Sequence, residues 1–364
     1  MLRLIQGQLV SAAHWFGRRG HDSVSATLYS SVARIASNQA DALYYQAQAL
    51  THRGKTDAAV ETLRFLLQRS PDFAAGHFNY GWLLQQSNRD TEALEAFDRA
   101  LFLNSSVASW HAARGFSLLR LERLPEAEVS LKRAIRHDGR CREALCNLGV
   151  VMSRLGQTEE AIEWYRAAVA LGADTSVSVS LAHLLEATRH LSDAEDVVRE
   201  GLRHDPRDPT LTSLLGSILR GQGRTQSALD VLRSAELLHP SNLVVLATLV
   251  EVLVEAGHHQ DAVVTAERLA RCQPGTGAQT ILAWTYLETG DPSRALDCTE
   301  AALAATQGEE NITRAEIRGL RAAALSSLGK DLAADEIFRE LERDWPDVFI
   351  RNPDLRSCGK ARSR

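Results

Sequence analysis

Small and large apolar residues recur along this chain at a fixed beat. Ala stands at positions 26, 59, 93, 127, 161, 194, 228, 262, 295 and 334, in successive steps of 33, 34, 34, 34, 33, 34, 34, 33 and 39. Twelve residues before that column sits a second small residue (Ala47, Gly81, Gly115, Gly149, Ala182, Gly216, Ala283, Ala322), with Val250 the exception. Three residues further on comes a large one: Leu50, Leu84, Leu118, Met152, Leu185, Leu219, Leu253, Tyr286 and Leu325. A small and a large residue three apart share a face on a helix and not on a strand, so each period opens with a helix.

Four residues after the Ala column stand Leu63, Phe97, Leu131, Tyr165, Val198, Leu232 and Phe338, which complete the apolar stripe of a second helix. Between the two lie Gly54, Gly156, Gly223, Gly257, Gly290 and Gly329, where a short turn needs a residue free to take positive φ; Asn88, Glu122 and Arg189 replace Gly elsewhere. Pro71, Pro206, Pro240, Pro274 and Pro346 follow the second helix, which proline cannot continue. Each period is therefore a helical hairpin with two apolar stripes. A hairpin alone cannot cover both, and stacking on its neighbours does.

Two segments carry the pattern most fully. Phe78-Asn-Tyr-Gly-Trp82 is followed by Thr91-Glu-Ala-Leu-Glu-Ala-Phe97 and Ala100, and Leu145-Cys-Asn-Leu-Gly149 by Glu160-Ala-Ile-Glu-Trp-Tyr165 and Ala168. With the 34-residue period, this resembles the tetratricopeptide repeat (TPR) family over roughly residues 40–346. The resemblance implies an all-α, right-handed α-solenoid of about nine to ten TPR helical hairpins. Residues 1–39 are expected to form a degenerate N-terminal capping repeat, 40–346 a nine-repeat array, and 347–364 a short C-terminal cap and disordered basic tail.

It also implies where a partner would bind, since in such proteins the inner groove is lined by fixed positions of each first helix. Those positions hold Tyr44, Tyr45, Gln48 and His52; Phe78, Asn79, Trp82, Gln85 and Gln86; Phe116 and Arg120; and Asn147, Val150 and Arg154. Further on they hold Ser180, His183 and Glu186, Ser217 and Arg220, Thr248, Glu251 and Glu255, and Trp284 and Glu288. The groove is thus aromatic at first, basic in the middle and acidic towards the end. Tyr44, Phe78, Trp82 and Phe116 are expected to stand apart from the core as rigid contact surfaces. Asn79 and Asn147 occupy positions where similar proteins hydrogen-bond an extended peptide. The carboxylate clamp by which some relatives hold chaperone tails is missing, because Tyr44 and Gln48 precede Asn79 while Ser109 and Ala113 follow it. Arg120 and Arg154 either pair an acidic ligand or bridge to carboxylates of their own chain.

The beat breaks in three places. About six extra residues between Ala302 and Arg314, around Gln307 and Gly308, predict a loop, read as a tolerated insertion or a partner-specific element. At the N-terminus His14 takes a small-residue position, and Leu2, Leu4, Ile5, Leu9, Val10, Trp15 and Phe16 are too apolar for water. They are expected to pack on the Leu43–Leu50 helix, with a partner, a membrane surface or a second copy of the chain as alternative covers. At the other end Asn352-Pro-Asp-Leu reads as the start of a short helix, and Ser357–Arg364 as a disordered tail.

Composition narrows the function. With 41 Lys and Arg against 46 Asp and Glu, a net charge of −5, there is no global field to hold nucleic acid or anionic lipid. Only four of the cations are Lys, a bias that suggests a bacterial source. Five scattered Cys argue against a disulfide framework or a metal site, and no uncharged apolar run is long enough to span a membrane. Gln6 and Gln8 interrupt what would be a secretory leader, so the expected location is cytoplasmic. Gly54-Lys-Thr56 is similar to the end of a phosphate-binding loop, but the earlier Gly is replaced by Ala49 and no strand precedes it. No cofactor is implied, and His183 with Glu186 is the one poor acid–base candidate. The expected function is a non-catalytic scaffold or adaptor for a protein or peptide partner. Its rivals are a regulatory or targeting subunit of a separate enzyme and a chaperone-like carrier for secretion or membrane-complex assembly.

Overall fold

A computed structural model describes residues 2–172, 174–306, 311–351 and 355. Among these residues there are twenty-one α-helices and no strand. The chain forms two compact units. The first, Met1–Val177, holds five helical hairpins: α1 (Leu2–Gly17) with α2 (Asp22–Ile35), α3 (Gln39–Thr51) with α4 (Thr56–Arg69), α5 (Ala74–Gln86) with α6 (Asp90–Leu103), α7 (Ala108–Arg120) with α8 (Leu124–His137), and α9 (Arg142–Arg154) with α10 (Thr158–Ala170). The second, Ser178–Arg364, takes most of α11 (Thr175–Ala187) and then α12 (Leu191–His204), α13 (Pro209–Gly221), α14 (Thr225–Leu238), α15 (Leu243–Glu255), α16 (His259–Cys272), α17 (Thr276–Thr289), α18 (Pro292–Ala305), α19 (Ile312–Ser327), α20 (Asp331–Asp344) and the short α21 (Asp347–Arg351). None of these helices is long and apolar enough to cross a membrane.

The columns of the sequence become the packing. All ten Ala of the repeating column are buried. A Cβ placed on Gly81, Gly115, Gly149 or Gly216 would meet the ring or branch of Phe97, Leu131, Tyr165 or Leu232 at 2.6–2.9 Å. In these four hairpins the first and second helices thus approach so closely that a hydrogen is the largest group the slot admits.

The turns show why the large residue of the first helix recurs. The residue after each turn donates its N–H to that residue's carbonyl: Lys55 to Leu50, Arg89 to Leu84, Arg123 to Leu118, Gln157 to Met152, His190 to Leu185, Arg224 to Leu219, His258 to Leu253, Asp291 to Tyr286 and Lys330 to Leu325, all at 2.8–3.0 Å. This closing bond requires a left-handed residue just before the donor. Glycine supplies it six times, and Asn88, Glu122 and Arg189 adopt it at φ 59°, 57° and 63°. Asn88 and Glu122 have compensation: Arg120 of the next hairpin donates to Asn88 Oδ1 at 2.6 Å, and Arg154 pairs with Glu122 at 2.5 Å. Arg189 has no such bond among the described residues. Arg189→Gly is therefore expected to raise stability by about 1 kcal/mol through relief of left-handed strain, seen as a higher urea midpoint, whereas Glu122→Gly, which forfeits its ion pair, should gain less.

The N-terminal segment departs from expectation. α1 pairs with α2, and α2 pairs with α3. Since Tyr29 of α2 fills the space beside Ala13 and Ala49, α1 does not blanket the Leu43–Leu50 helix, and Leu4, Ile5 and Trp15 stay exposed. The Arg19 guanidinium lies 3.8 Å from the centre of the Trp15 ring. A short helix spans Asp347–Arg351, and Val348 and Leu355 are buried in the same cluster as Leu320 of α19. The insertion residues 307–310, the Asn352–Asp354 start and the 357–364 tail lie outside the described residues. Next to the insertion, Asn311 caps α19 and Arg314 donates to the carbonyls of Leu303 and Thr306 at the end of α18.

Candidate functional site

First helices of successive hairpins touch one another: α5 with α7 and α7 with α9 in the first unit, and α13 with α15, α15 with α17 and α17 with α19 in the second. Their shared side is the inner face, and the residues expected to bind a partner lie on it.

In the first unit packing claims part of this face. The Tyr44 ring lies 5.3 Å from both Phe73 and Tyr45, its hydroxyl accepts from Gln48 Nε2 at 3.3 Å, and burial pushes the phenol above its usual pKa range. Tyr45 is stacked on Tyr29 at 6.3 Å. Phe78 is stacked on Trp110 at 5.4 Å and tilted against Phe97 at 5.6 Å. Tyr44 and Phe78 therefore do not stand apart from the core as expected. A ring at that position of a first helix reaches the preceding or following hairpin and helps to seal it. Trp82, in contrast, remains 39% exposed on α5. Three residues before it, the Asn79 amide nitrogen is buried against Tyr44, whose phenol it draws down as a donor would, although the contact falls outside ordinary hydrogen-bond geometry.

The two groove arginines are engaged within the chain. Arg120 donates to the Gln85 carbonyl at 3.2 Å as well as to Asn88, and pairs with the buried Asp90 at 3.1 Å, while its guanidinium lies 5.8 Å from the half-buried Phe116 ring. Gln85 is buried too: it donates to Ala113 O at 3.0 Å and Ser117 Oγ at 2.7 Å, and Ser117 in turn donates to Asp90 at 3.3 Å. This polar chain ties the α5–α6 hairpin to the α7–α8 hairpin. Gln86 is exposed on α5, Asn147 and Val150 are half-buried on α9, and Arg154 is exposed at the end of α9, bound back to Glu122.

In the second unit the inner face encloses a cavity of about 620 Å³. Arg220 of α13, Ala247 and Glu251 of α15, Thr280, Ile281 and Trp284 of α17, and Glu316 and Leu320 of α19 line it, with Leu355 at one end. Every helical residue of that lining comes from a first helix. Arg220 stands 3.3 Å from Glu251 and 3.8 Å from Glu255. Desolvation raises the Glu251 carboxyl pKa, and Glu186 and Glu255 add to that against the pull of Arg220. Burial also pushes Glu186 up, but hydrogen bonds from His183 and Ser217 and the charges of His183 and Arg220 outweigh it and hold this carboxyl below its usual range. The Ser217 hydroxyl donates to Glu186 at 2.6 Å, and His183 stands 3.8 Å from Glu186. The serine is thus hydrogen-bonded to the carboxylate and not to the imidazole, unlike the order of a hydrolytic triad. Among the described residues no group of three His, Cys, Asp or Glu side chains is placed to hold a metal ion.

With this geometry in hand, comparison with known proteins gives a consistent picture. A tetratricopeptide repeat model matches residues 44–108, 113–175 and 179–242, and a second model of the same repeat matches 219–284. Mitochondrial import receptor subunit TOM70 of Mus musculus and of Rattus norvegicus is 25% identical over 146 residues, or 39% of this chain. The match spans 23% of those receptors' own length. Among solved structures, a tetratricopeptide repeat protein from Parabacteroides merdae aligns over 68% of this chain and 98% of its own, with a TM-score of 0.55 at 14% identity, which is a likeness of fold. YrrB, described as a TPR protein with an unusual peptide-binding site, aligns over 51% of this chain and 97% of its own at a TM-score of 0.46 and 23% identity.

Proposed function

The chain belongs to the tetratricopeptide repeat family, and from that premise we propose that it is a non-catalytic interaction scaffold, holding an extended or helical segment of a partner protein against the inner faces of its first helices. The observation that carries this is on α5. The buried Asn79 amide nitrogen meets only the Tyr44 phenol, outside ordinary hydrogen-bond geometry, and one turn further along the helix packing has left the Trp82 ring in the open. A peptide lying along α5 would supply both a carbonyl for Asn79 and an apolar surface for Trp82. The likeness to import receptor subunits supports capture of another protein over a reaction of its own.

The test is selection of phage-displayed random peptides on the whole chain. Peptides enriched on the wild type are expected to lose about tenfold or more in affinity on Trp82→Ala, the size of effect a central aromatic anchor gives, and to lose affinity on Asn79→Ala and Phe116→Ala as well. The melting temperature of Trp82→Ala should stay nearly unchanged. Failure to enrich any peptide, or a Trp82→Ala variant that loses stability along with binding, would remove the proposal.

A further inference from the structure

The cavity of the second unit differs in character from the aromatic face of the first. Its walls are apolar where Ile281, Trp284 and Leu320 meet, and its volume of about 620 Å³ falls within the roughly 300–1,000 Å³ of sites that enclose a ligand group. Its rim is acidic. The inner face presents Glu251 and Glu255 on α15, with Glu186 on α11 nearby, and Arg220 is the one guanidinium among the described lining. The arginines of α19 have partners elsewhere. Arg318 is bound to Glu340 of α20, Arg321 lies 3.7 Å from Glu300 of α18, and Arg314 is directed to the carbonyls closing α18.

Arg220 itself is divided. At 3.3 and 3.8 Å from its two carboxylates it is farther than the roughly 2.7–2.9 Å of a well-made charge-assisted hydrogen bond. Two carboxylates therefore share one cation and neither is well satisfied. Burial raises the Glu251 carboxyl, and the charges of Glu186 and Glu255 add to that rise. A cationic group brought by a partner would relieve it, whereas an acidic segment would be repelled.

We propose that this groove selects a basic segment of a partner protein, in which one bulky apolar side chain enters the cavity against Trp284, Ile281 and Leu320 while flanking Lys or Arg side chains meet Glu251 and Glu255. This rests on the scaffold reading above and adds the chemistry of the partner.

Fluorescence anisotropy on the full chain with labelled synthetic peptides tests it. Three peptides of about twelve residues, the length an extended segment needs to cross several first helices, share a central Leu flanked by Arg, by Gln or by Glu. The Arg peptide is expected to bind, to weaken about tenfold or more between about 50 and 300 mM NaCl, and to lose about tenfold on Glu251→Lys and on Trp284→Ala. Glu336→Lys, a charge reversal on the exposed face of α20, should leave its affinity nearly unchanged. Equal binding of the Gln or Glu peptide, equal loss on Glu336→Lys, or indifference to Trp284→Ala would each overturn the proposal, the last two by showing attraction to overall charge without the cavity. Peptides selected through Trp82 provide the separate control. If they bind while the Arg peptide does not, this inference fails alone; if neither set binds, the scaffold reading fails with it.

Discussion

Phe97→Ala is expected to cost the first unit about 3–5 kcal/mol, the upper range for a fully buried aromatic ring. The size follows from what surrounds the ring. Phe97 has no exposed surface and lies in one cluster with Leu84, Ala93 and Phe78. On its far side is Gly81, whose missing side chain is what admits the ring: a Cβ there would stand 2.9 Å from two of the ring carbons and 3.0 Å from the Ala93 carbonyl. When the ring is cut back, Gly81 has nothing to move into the space, and the helices flanking it are held by their own turn bonds, so the cavity cannot collapse. Leu63→Ala, at the equivalent position opposite Ala47, removes less volume from a slot with a methyl already in it and should cost less. Urea unfolding of the two variants measures the difference. A loss below about 1.5 kcal/mol for Phe97→Ala would mean the hairpin closes over the gap and that the slot is not rigid.

That pairing was legible from the sequence because it is written in residue size at fixed intervals. The small residue of the first helix, the large residue after it, the glycine of the turn and the large residue of the second helix each fix one contact, and the turn chemistry agrees with the helix pattern. Inner-face roles were less legible, for a physical reason. Periodicity says which side of a helix a residue is on and nothing about how far its neighbours reach across it. Tyr44 and Phe78 sit on the inner side but lean into the seams between hairpins. Gln85 looks like a solvated groove residue by polarity, yet it is buried because Ser117 and the Ala113 carbonyl satisfy it. Arg120 and Arg154 read equally well as ligand groups or internal braces until Asn88 and Glu122 were seen to take positive φ within their reach.

Some of the cavity lining was missed although its signal was present. Thr280 and Ile281 precede Ala283 by three and two residues, and Glu316 and Leu320 precede Ala322 by six and two, positions that line the inner face in other repeats. The 39-residue step displaces the helix that follows the inserted residues from the regular beat. Counting back from Ala322 recovers α19, and with it the acidic, apolar-walled cavity.

The second large effect concerns the same small-to-large contact in the other unit, tested from the opposite side. A Cβ on Gly216 would stand 2.7 Å from Leu232 Cγ and 2.8 Å from both of its methyls, and Leu232 has no exposed surface into which to swing. Gly216→Leu is therefore expected to cost about 3 kcal/mol, at the top of the usual range for overpacking, and Leu232→Ala about 2–5 kcal/mol as a cavity. The two injuries are complementary in volume, since one adds an isobutyl group where the other removes most of one. The double variant should thus be more stable than the sum of the single losses predicts by about 1–3 kcal/mol, the coupling found between residues in direct contact. Additive losses would mean that the two positions do not share one space, and the size code read along the whole chain would then describe helical periodicity alone and not the contact between first and second helices.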